Sequence, residues 1–164
     1  FARAYHLRSL TDLARLSPTL TLGAPLQFTQ NSTALPALES EYDLNPTRTS
    51  TVVIGDQYKD LADGKIEAAY VQTTDAQLAT SQFRLLNDPK HADGFGNIIP
   101  VVTASTIAAE GPVFVDTLNR VDKLLTTRVL RVLNAQVDLD HMDPLAVAKQ
   151  FLEQHGLVSA STAP

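Results

Sequence analysis

The sequence predicts an α/β fold, a largely parallel sheet followed by C-terminal helices, and three observations point there. Over residues 1–97 short apolar or β-branched runs alternate with short helical segments, the pattern of successive βαβ units. At the centre, Gln57 to Lys65 reads as a helix stopped by Gly64, and Ile66 to Val71 as a buried strand. That strand runs into the polar turn Gln72-Thr73-Thr74-Asp75, which opens another helix. Near Asn97 to Pro100 the composition shifts, and beyond it the apolar residues fall at helical spacing. In open α/β sheets ligands sit outside the carboxyl ends of the strands, so Gln72 to Asp75 is expected at a binding edge.

Ser9-Leu10-Thr11-Asp12 is a capping-box opening for a short first helix with Leu13 and Leu16 on one face, ended at Ser17-Pro18. Thr19 to Leu22 alternates polar and apolar and stops at Gly23, as a strand does. Leu26 to Gln30 extends toward the polar group Gln30-Asn31-Ser32-Thr33, whose Asn, Ser and Thr are natural N-caps for a helix carrying Leu35, Leu38 and Tyr42. Thr51-Val52-Val53-Ile54 reads as a β-branched strand ending at Gly55-Asp56, with Asp56 as cap of the next helix. After the central strand comes a helix through Leu78, then Phe83 to Leu86 as a strand, a turn-rich stretch from Asn87 to Asn97, and Ile98 to Thr103 as a strand. Phe114, Leu118, Val121 and Leu125 fall at helical spacing, as do Val129, Leu133 and Val137. Asp143-Pro144 starts a last helix that Gly156 ends.

Composition narrows the function classes. The chain has 164 residues, 44% hydrophobic and 19% charged, enough for a core, with a formal net charge of −5. The acidic residues are dispersed and no Lys/Arg cluster occurs, which argues against a nucleic-acid partner. With no cysteine there is no disulfide framework and no Cys-ligated metal site, and the compartment is not readable from redox chemistry. No apolar run approaches the ~20 residues of a spanning helix. The chain begins with Phe1, so a trimmed or truncated product is expected, with any signal peptide or lipid anchor upstream.

Catalytic and metal chemistry find little support. His91 and Asp93 with Ser81 or Ser105 form no known nucleophile spacing, and no Gly-x-Ser-x-Gly occurs. Asp138, Asp140, His141 and Asp143 lie between two helices, where acidic caps are the ordinary explanation, and lack the calcium-loop pattern. No Gly-rich phosphate loop is present, and no cofactor is implied. Thr73-Thr74-Asp75 has two compatible readings, a helix cap and a set of polar groups at a ligand edge.

Several stretches together resemble a known family, the solute-binding proteins of ABC importers for glycine betaine, choline and related osmoprotectants. They are Ser9 to Ala14, Tyr58 to Ala69, Thr73-Thr74-Asp75, Phe83 to Lys90, Pro100-Val101-Val102, Leu133-Asn134-Ala135-Gln136-Val137-Asp138 and Pro144 to Leu157. The Leu133 to Asp138 segment is the most specific. The resemblance implies a periplasmic-binding-protein-like (type II) α/β lobe with a mixed, largely parallel sheet, followed by C-terminal helices. Residues 1–97 would be the second lobe of a two-lobe binding protein. Residues 98–164 would be the crossover strand and C-terminal helices of the first lobe, whose N-terminal part is missing. Apolar surface left bare by that absence would favour a dimer or an exchange of elements.

The resemblance also implies a function without catalysis: an extracytoplasmic component that hands a small solute to a membrane permease and its ATPase. In the family an aromatic cage holds a quaternary ammonium by cation–π attraction, with polar donors at the other end. Three positions depart from that pattern. Asn31-Ser32-Thr33-Ala34 stands where many relatives carry an Arg before an acidic-Gly pair, Gln72 replaces a Tyr, and Phe95-Gly96 replaces Pro-Tyr. The expected ligand-binding set is Asn31, Ser32, Gln72, Thr73, Thr74, Phe95 and Asn97, facing an osmoprotectant-type solute or a more polar, hydroxylated or phenolic one. The alternative function is a binding or sensor domain of the same fold.

Overall fold

The computed structural model describes residues 1–31, 34–94 and 96–159. The chain divides into two compact units, Phe1–Gln72 with Phe83–Gly96, and Thr73–Gln82 with the residues from Asn97 onward. The sequence does not announce the excursion of residues 73–82 into the second unit.

The first unit opens with the capping box. Ser9 Oγ accepts from Asp12 N–H at 3.2 Å and Asp12 Oδ2 accepts from Ser9 N–H at 3.0 Å, which starts helix α1 (Leu10–Ala14) and buries Leu13. A 3-10 turn, Ser17–Thr19, has Pro18 in its first turn and leads into strand β1 (Thr21–Ala24). Next along the chain are helices α2 (Leu26–Gln30) and α3 (Leu35–Tyr42), strand β2 (Arg48–Thr51), helix α4 (Gln57–Ala62) and strand β3 (Ala68–Ala69).

β1 is the centre of a three-stranded sheet in the order β2-β1-β3, and both pairings are parallel. Its register sets Thr21 to Ala24 against Arg48 to Thr51, and Leu22 and Gly23 against Ala68 and Ala69. Gly23 has a packing reason, since a Cβ there would stand 2.4 Å from the Cδ1 of buried Ile66. A core of Leu7, Leu13, Leu20, Leu22, Phe28 and Leu44, among others, closes around this strand.

The α/β class with a parallel sheet is as expected, while several element assignments are corrected. Leu26–Gln30 is a helix, not an extension, and Asn31 caps its C-terminus rather than opening the next helix; α3 begins behind Ala34 with no side-chain cap. The strand expected at Thr51–Ile54 lies at Arg48–Thr51. The last β1 carbonyl, Ala24, accepts Val52 N–H at 3.1 Å and the chain then turns at Pro25, so Val53 and Ile54 have no ladder to join and stand exposed. Pairing, not β-branched propensity, decides the strand. Of the Ile66–Val71 run only Ala68–Ala69 forms a strand, flanked by the bonds of Glu67 N–H to Thr21 O and Tyr70 N–H to Gly23 O, and Ile66 is buried.

Phe83–Leu86 is no strand; one parallel bridge, Ser9 to Asn87, follows it. Ile98–Thr103 also forms none. Asp56 occupies the N-cap of α4 without a side-chain bond, and Gln57 Oε1 instead accepts from Gly55 N–H at 2.6 Å. Gly64, at φ +70°, ends the segment after α4 as read from the sequence.

Among its described residues the second unit holds a 3-10 turn, Ala76–Ala79, in place of the helix expected through Leu78, and four helices: α5 (Ala104–Glu110), α6 (Pro112–Leu124), α7 (Thr127–Asp138) and α8 (Pro144–Gln154). The last three correspond to the helical runs in the sequence; α5 is additional. Thr103, Thr126 and Asp143 cap α5, α7 and α8 through side-chain oxygens. Val147 and Phe151 of α8 are buried, and the Phe151 ring lies 4.4 Å from that of His155.

Candidate functional site

Because the three strands are parallel, the segments after Ala24, Thr51 and Ala69 leave one edge of the sheet. Gln72 follows β3 at that edge and is exposed, as is Asn31 behind α2 of the same unit. Between strand end and Gln72 stands Tyr70. Its N–H donates to Gly23 O at 2.9 Å, continuing the β1–β3 ladder by one bond. Its ring lies 4.4 Å from that of buried Phe28, tilted by 36°. Its hydroxyl lies 3.4 Å from Asp93 Oδ2. Burial, with the negative charge of Asp93, holds the Tyr70 phenol above its usual range, and Gln72 works the other way.

Asp93 sits on a turn that α3 clamps in place. The hydroxyl of buried Tyr42, the last residue of α3, bonds Asp88 Oδ1 and accepts Lys90 N–H at 2.7 Å. Lys90 Nζ donates to Glu41 O and lies 5.0 Å from the Tyr42 ring centroid. Asp88 Oδ2 in turn accepts Asp93 N–H at 3.2 Å. Burial alone would raise the Asp88 carboxyl, but hydrogen bonds from Tyr42 and from the Asp93 and Ala92 amides outweigh it, and the net shift is downward. Asp93 is pushed upward, first by burial and then by the Asp88 charge.

The remaining predicted site residues are dispersed. In the second unit Thr73 and Thr74 serve as backbone anchors: the Arg131 guanidinium donates twice to Thr73 O, at 3.1 and 2.6 Å, and Asn134 Nδ2 donates to Thr74 O at 2.9 Å. Asp75 is the N-cap of the following 3-10 turn, without a side-chain cap bond, so the cap expected at Thr73-Thr74-Asp75 is not built that way. Asn97 is exposed. Ser32 and Phe95 lie outside the described residues. Asn31 and Gln72 therefore belong to the first unit, and Thr73, Thr74 and Asn97 to the second.

Sequence reasoning passed over Tyr70 and the Tyr42–Asp88 clamp. One signal was available, because Tyr42 and Asp88 each sit in segments it had singled out, but neither spacing nor periodicity joins residues so far apart in the chain. It also marked the Leu133–Asp138 segment as the most specific, and Asn134 within it is the residue that anchors Thr74.

Among the described residues no group of three or more His, Cys, Asp or Glu could hold a metal ion. Asp143 is committed to capping α8, its Oδ1 accepting Ala146 N–H at 2.8 Å. A groove in the second unit, between α7 and α8, is lined by Val132, Leu133, Val147 and Phe151 together with Arg128 and His155.

Residues 1–154 match the family model described as the substrate binding domain of ABC-type glycine betaine transport system. The chain is 30% identical over 157 residues to the ergothioneine transport permease/ergothioneine binding protein EgtU of Helicobacter pylori (strain G27), covering 95% of itself and 28% of that protein. It is 30% identical over 167 residues to the glycine betaine-binding protein YehZ of Escherichia coli (strain K12), covering 92% of itself and 52% of YehZ. The crystal structure of a glycine betaine/carnitine/choline ABC transporter superposes with a TM-score of 0.76 at 25% identity, over 95% of this chain and 56% of that one. The chain thus spans about half of these relatives' length, or less.

Proposed function

Because this chain belongs to the family of substrate-binding domains of ABC-type glycine betaine transport systems, a family of solute-binding proteins and not of enzymes, we propose that it takes part in binding a small osmoprotectant-type solute for import. Its partners in that role are a membrane permease and the ATPase that drives it, and its place is outside the cytoplasm. In this reading residues 1–97 are the second lobe of a binding protein. Residues 98–164 are the crossover segment and C-terminal helices of the first.

What supports the reading is the edge where β1 and β3 end, with the half-exposed Tyr70 and the exposed Gln72 just beyond β3, and Asn31 exposed on the same unit. Parallel strand ends with polar side chains beside an aromatic face suit a small polar solute. Gln72 in place of an aromatic residue favours a hydroxylated or otherwise polar ligand over a bare quaternary ammonium, with Asn31, Gln72 and the neighbouring Thr73 as hydrogen-bonding groups.

Calorimetric titration with glycine betaine, choline, carnitine, ergothioneine, proline and a set of phenolic solutes tests this. Binding of one of them, weakened about threefold to tenfold by Gln72→Ala and again by Asn31→Ala, is the expected result for loss of one hydrogen bond each. Tight glycine betaine binding untouched by both substitutions would refute the assigned site.

A further inference from the structure

The turn at residues 88–94 of the first unit presents a carboxylate, that of Asp93, which forms no ion pair among the described residues. Asp88 fixes the turn: its Oδ1 meets the Tyr42 hydroxyl and its Oδ2 accepts Asp93 N–H at 3.2 Å. Backbone bonds close it, from His91 N–H to Asp88 O at 3.3 Å and from Gly94 N–H to His91 O at 3.1 Å, while Ala92 packs against the core. Asp93 is thereby held at the surface beside Tyr70, its Oδ2 3.4 Å from the hydroxyl. That separation is long for a hydroxyl–carboxylate hydrogen bond, and it leaves the carboxylate open to a stronger partner.

No Lys, Arg or His nitrogen of the described residues stands within 4.0 Å of the Asp93 carboxylate. Lys90, on the same turn, is engaged elsewhere: its Nζ donates to Glu41 O and lies 5.0 Å from the Tyr42 ring centroid. Asp88, the other acid of the turn, adds to the negative field instead of cancelling it. Beside this charge stands the half-exposed ring of Tyr70, fixed by its stack on buried Phe28 at 4.4 Å. An aromatic face attracts a cation within about 6 Å of its centroid, and a carboxylate next to that ring attracts the same cation. A ring and an acid already held in place need little ordering when a ligand arrives.

We propose that Asp93 is a specificity-determining residue of the solute edge, and that with the Tyr70 ring it selects solutes of net positive charge over zwitterions. This rests on the reading that a solute binds where β3 ends, and it deepens that reading by fixing the charge of the solute. An ammonium compound bearing a hydroxyl meets only attraction from the two groups. One bearing a carboxylate brings a further anion toward Asp93 and Asp88, and the repulsion offsets part of what its ammonium gains.

Three probes separate charge from shape: choline, glycine betaine, and the uncharged analogue of choline in which carbon replaces the ammonium nitrogen. Each is titrated into the isotope-labelled chain, following the Tyr70 and Asp93 resonances by NMR. Choline is expected to bind about tenfold more tightly than its uncharged analogue, from ring and carboxylate together, and about threefold more tightly than glycine betaine. Asp93→Asn keeps the shape and removes the charge, and should lower both ratios about threefold. Asp93→Glu keeps the charge and should preserve most of both. Added salt, a comparison that needs no substitution, should weaken choline binding and leave the uncharged analogue unmoved. A merely structural role for Asp93 would weaken all three probes alike and leave the ratios standing. Equal binding of choline and its uncharged analogue by the unsubstituted chain, or ratios unmoved by Asp93→Asn, overturns the proposal. Saturable glycine betaine binding at the edge with no preference for choline overturns it too, while the functional reading stands. Binding of none of the three probes overturns both.

Discussion

The two units solve the problem of burying apolar surface differently. In the first, the central strand β1 has a neighbour on each side, and Leu20, Leu22, Ala24 and Leu44 are almost wholly withdrawn from water. In the second, four helices carry apolar rows at helical spacing, yet Val113 and Leu145 are 74% and 77% exposed, and among the described residues the buried side chains are few: Ala76, Val147 and Phe151. Periodicity says which face of a helix is apolar and nothing about what covers it. The first unit is held by its core, the second by caps and by the Arg131 and Asn134 bonds to the backbone of Thr73 and Thr74.

Substitutions sharpen this contrast. Leu20→Ala, at a side chain 1% exposed in the first unit, should cost about 2–5 kcal/mol in urea unfolding followed by far-ultraviolet circular dichroism. A loss below about 1 kcal/mol would mean that the core around β1 relaxes to fill the space. Tyr42→Phe deprives Asp88 Oδ1 and the Lys90 amide of their partner, and a loss of about 1–3 kcal/mol is expected by the same measurement. In the second unit, Thr126→Ala removes the side-chain acceptor of Val129 N–H and should cost about 1 kcal/mol, read from amide exchange within α7. Leu145→Ala lies at the other extreme: at 77% exposure its effect should stay within about 0.5 kcal/mol. A larger loss would show that α8 is covered in solution.

Protonation offers a further separation. The Asp88 carboxyl lies below its ordinary value in the folded chain, so its contribution to stability is present above the unfolded-state value and is lost as pH falls through the folded one. Asp93 is shifted upward, so its ionisation opposes folding as pH rises through the carboxylate range. Acid titration of stability should accordingly flatten in Asp88→Asn, while Asp93→Asn should not reproduce that flattening. Indistinguishable acid limbs in the unsubstituted chain and Asp88→Asn would remove the clamp as a source of pH dependence.

Much of the fold was legible because it depends on local signals. The Ser9–Asp12 capping box, Gly64 as a stop, and Asp143-Pro144 as a start all act within a few residues, and each is found where the sequence puts it. Strand assignment failed where pairing rather than composition decides. Val52-Val53-Ile54 has the stronger propensity, yet Arg48–Thr51 is the segment that lies against β1.

The candidate site divides in the same way. Gln72 was reachable as a polar residue following a strand, and Asn31 as a polar residue of the group at 30–33. The Tyr42–Asp88–Asp93–Tyr70 chain joins residues whose separations in sequence reach 46 positions, and only the folded chain brings them together.

A solute site at the sheet edge is tested most directly by mapping where binding occurs. Glycine betaine, choline, carnitine and ergothioneine are titrated into the isotope-labelled chain, and the amide and side-chain resonances are followed. Saturable shifts centred on Asn31, Tyr70 and Gln72 are expected, with the α7–α8 groove around Val132 and Phe151 unmoved. Shifts confined to that groove, with the Gln72 resonances stationary throughout, would contradict it.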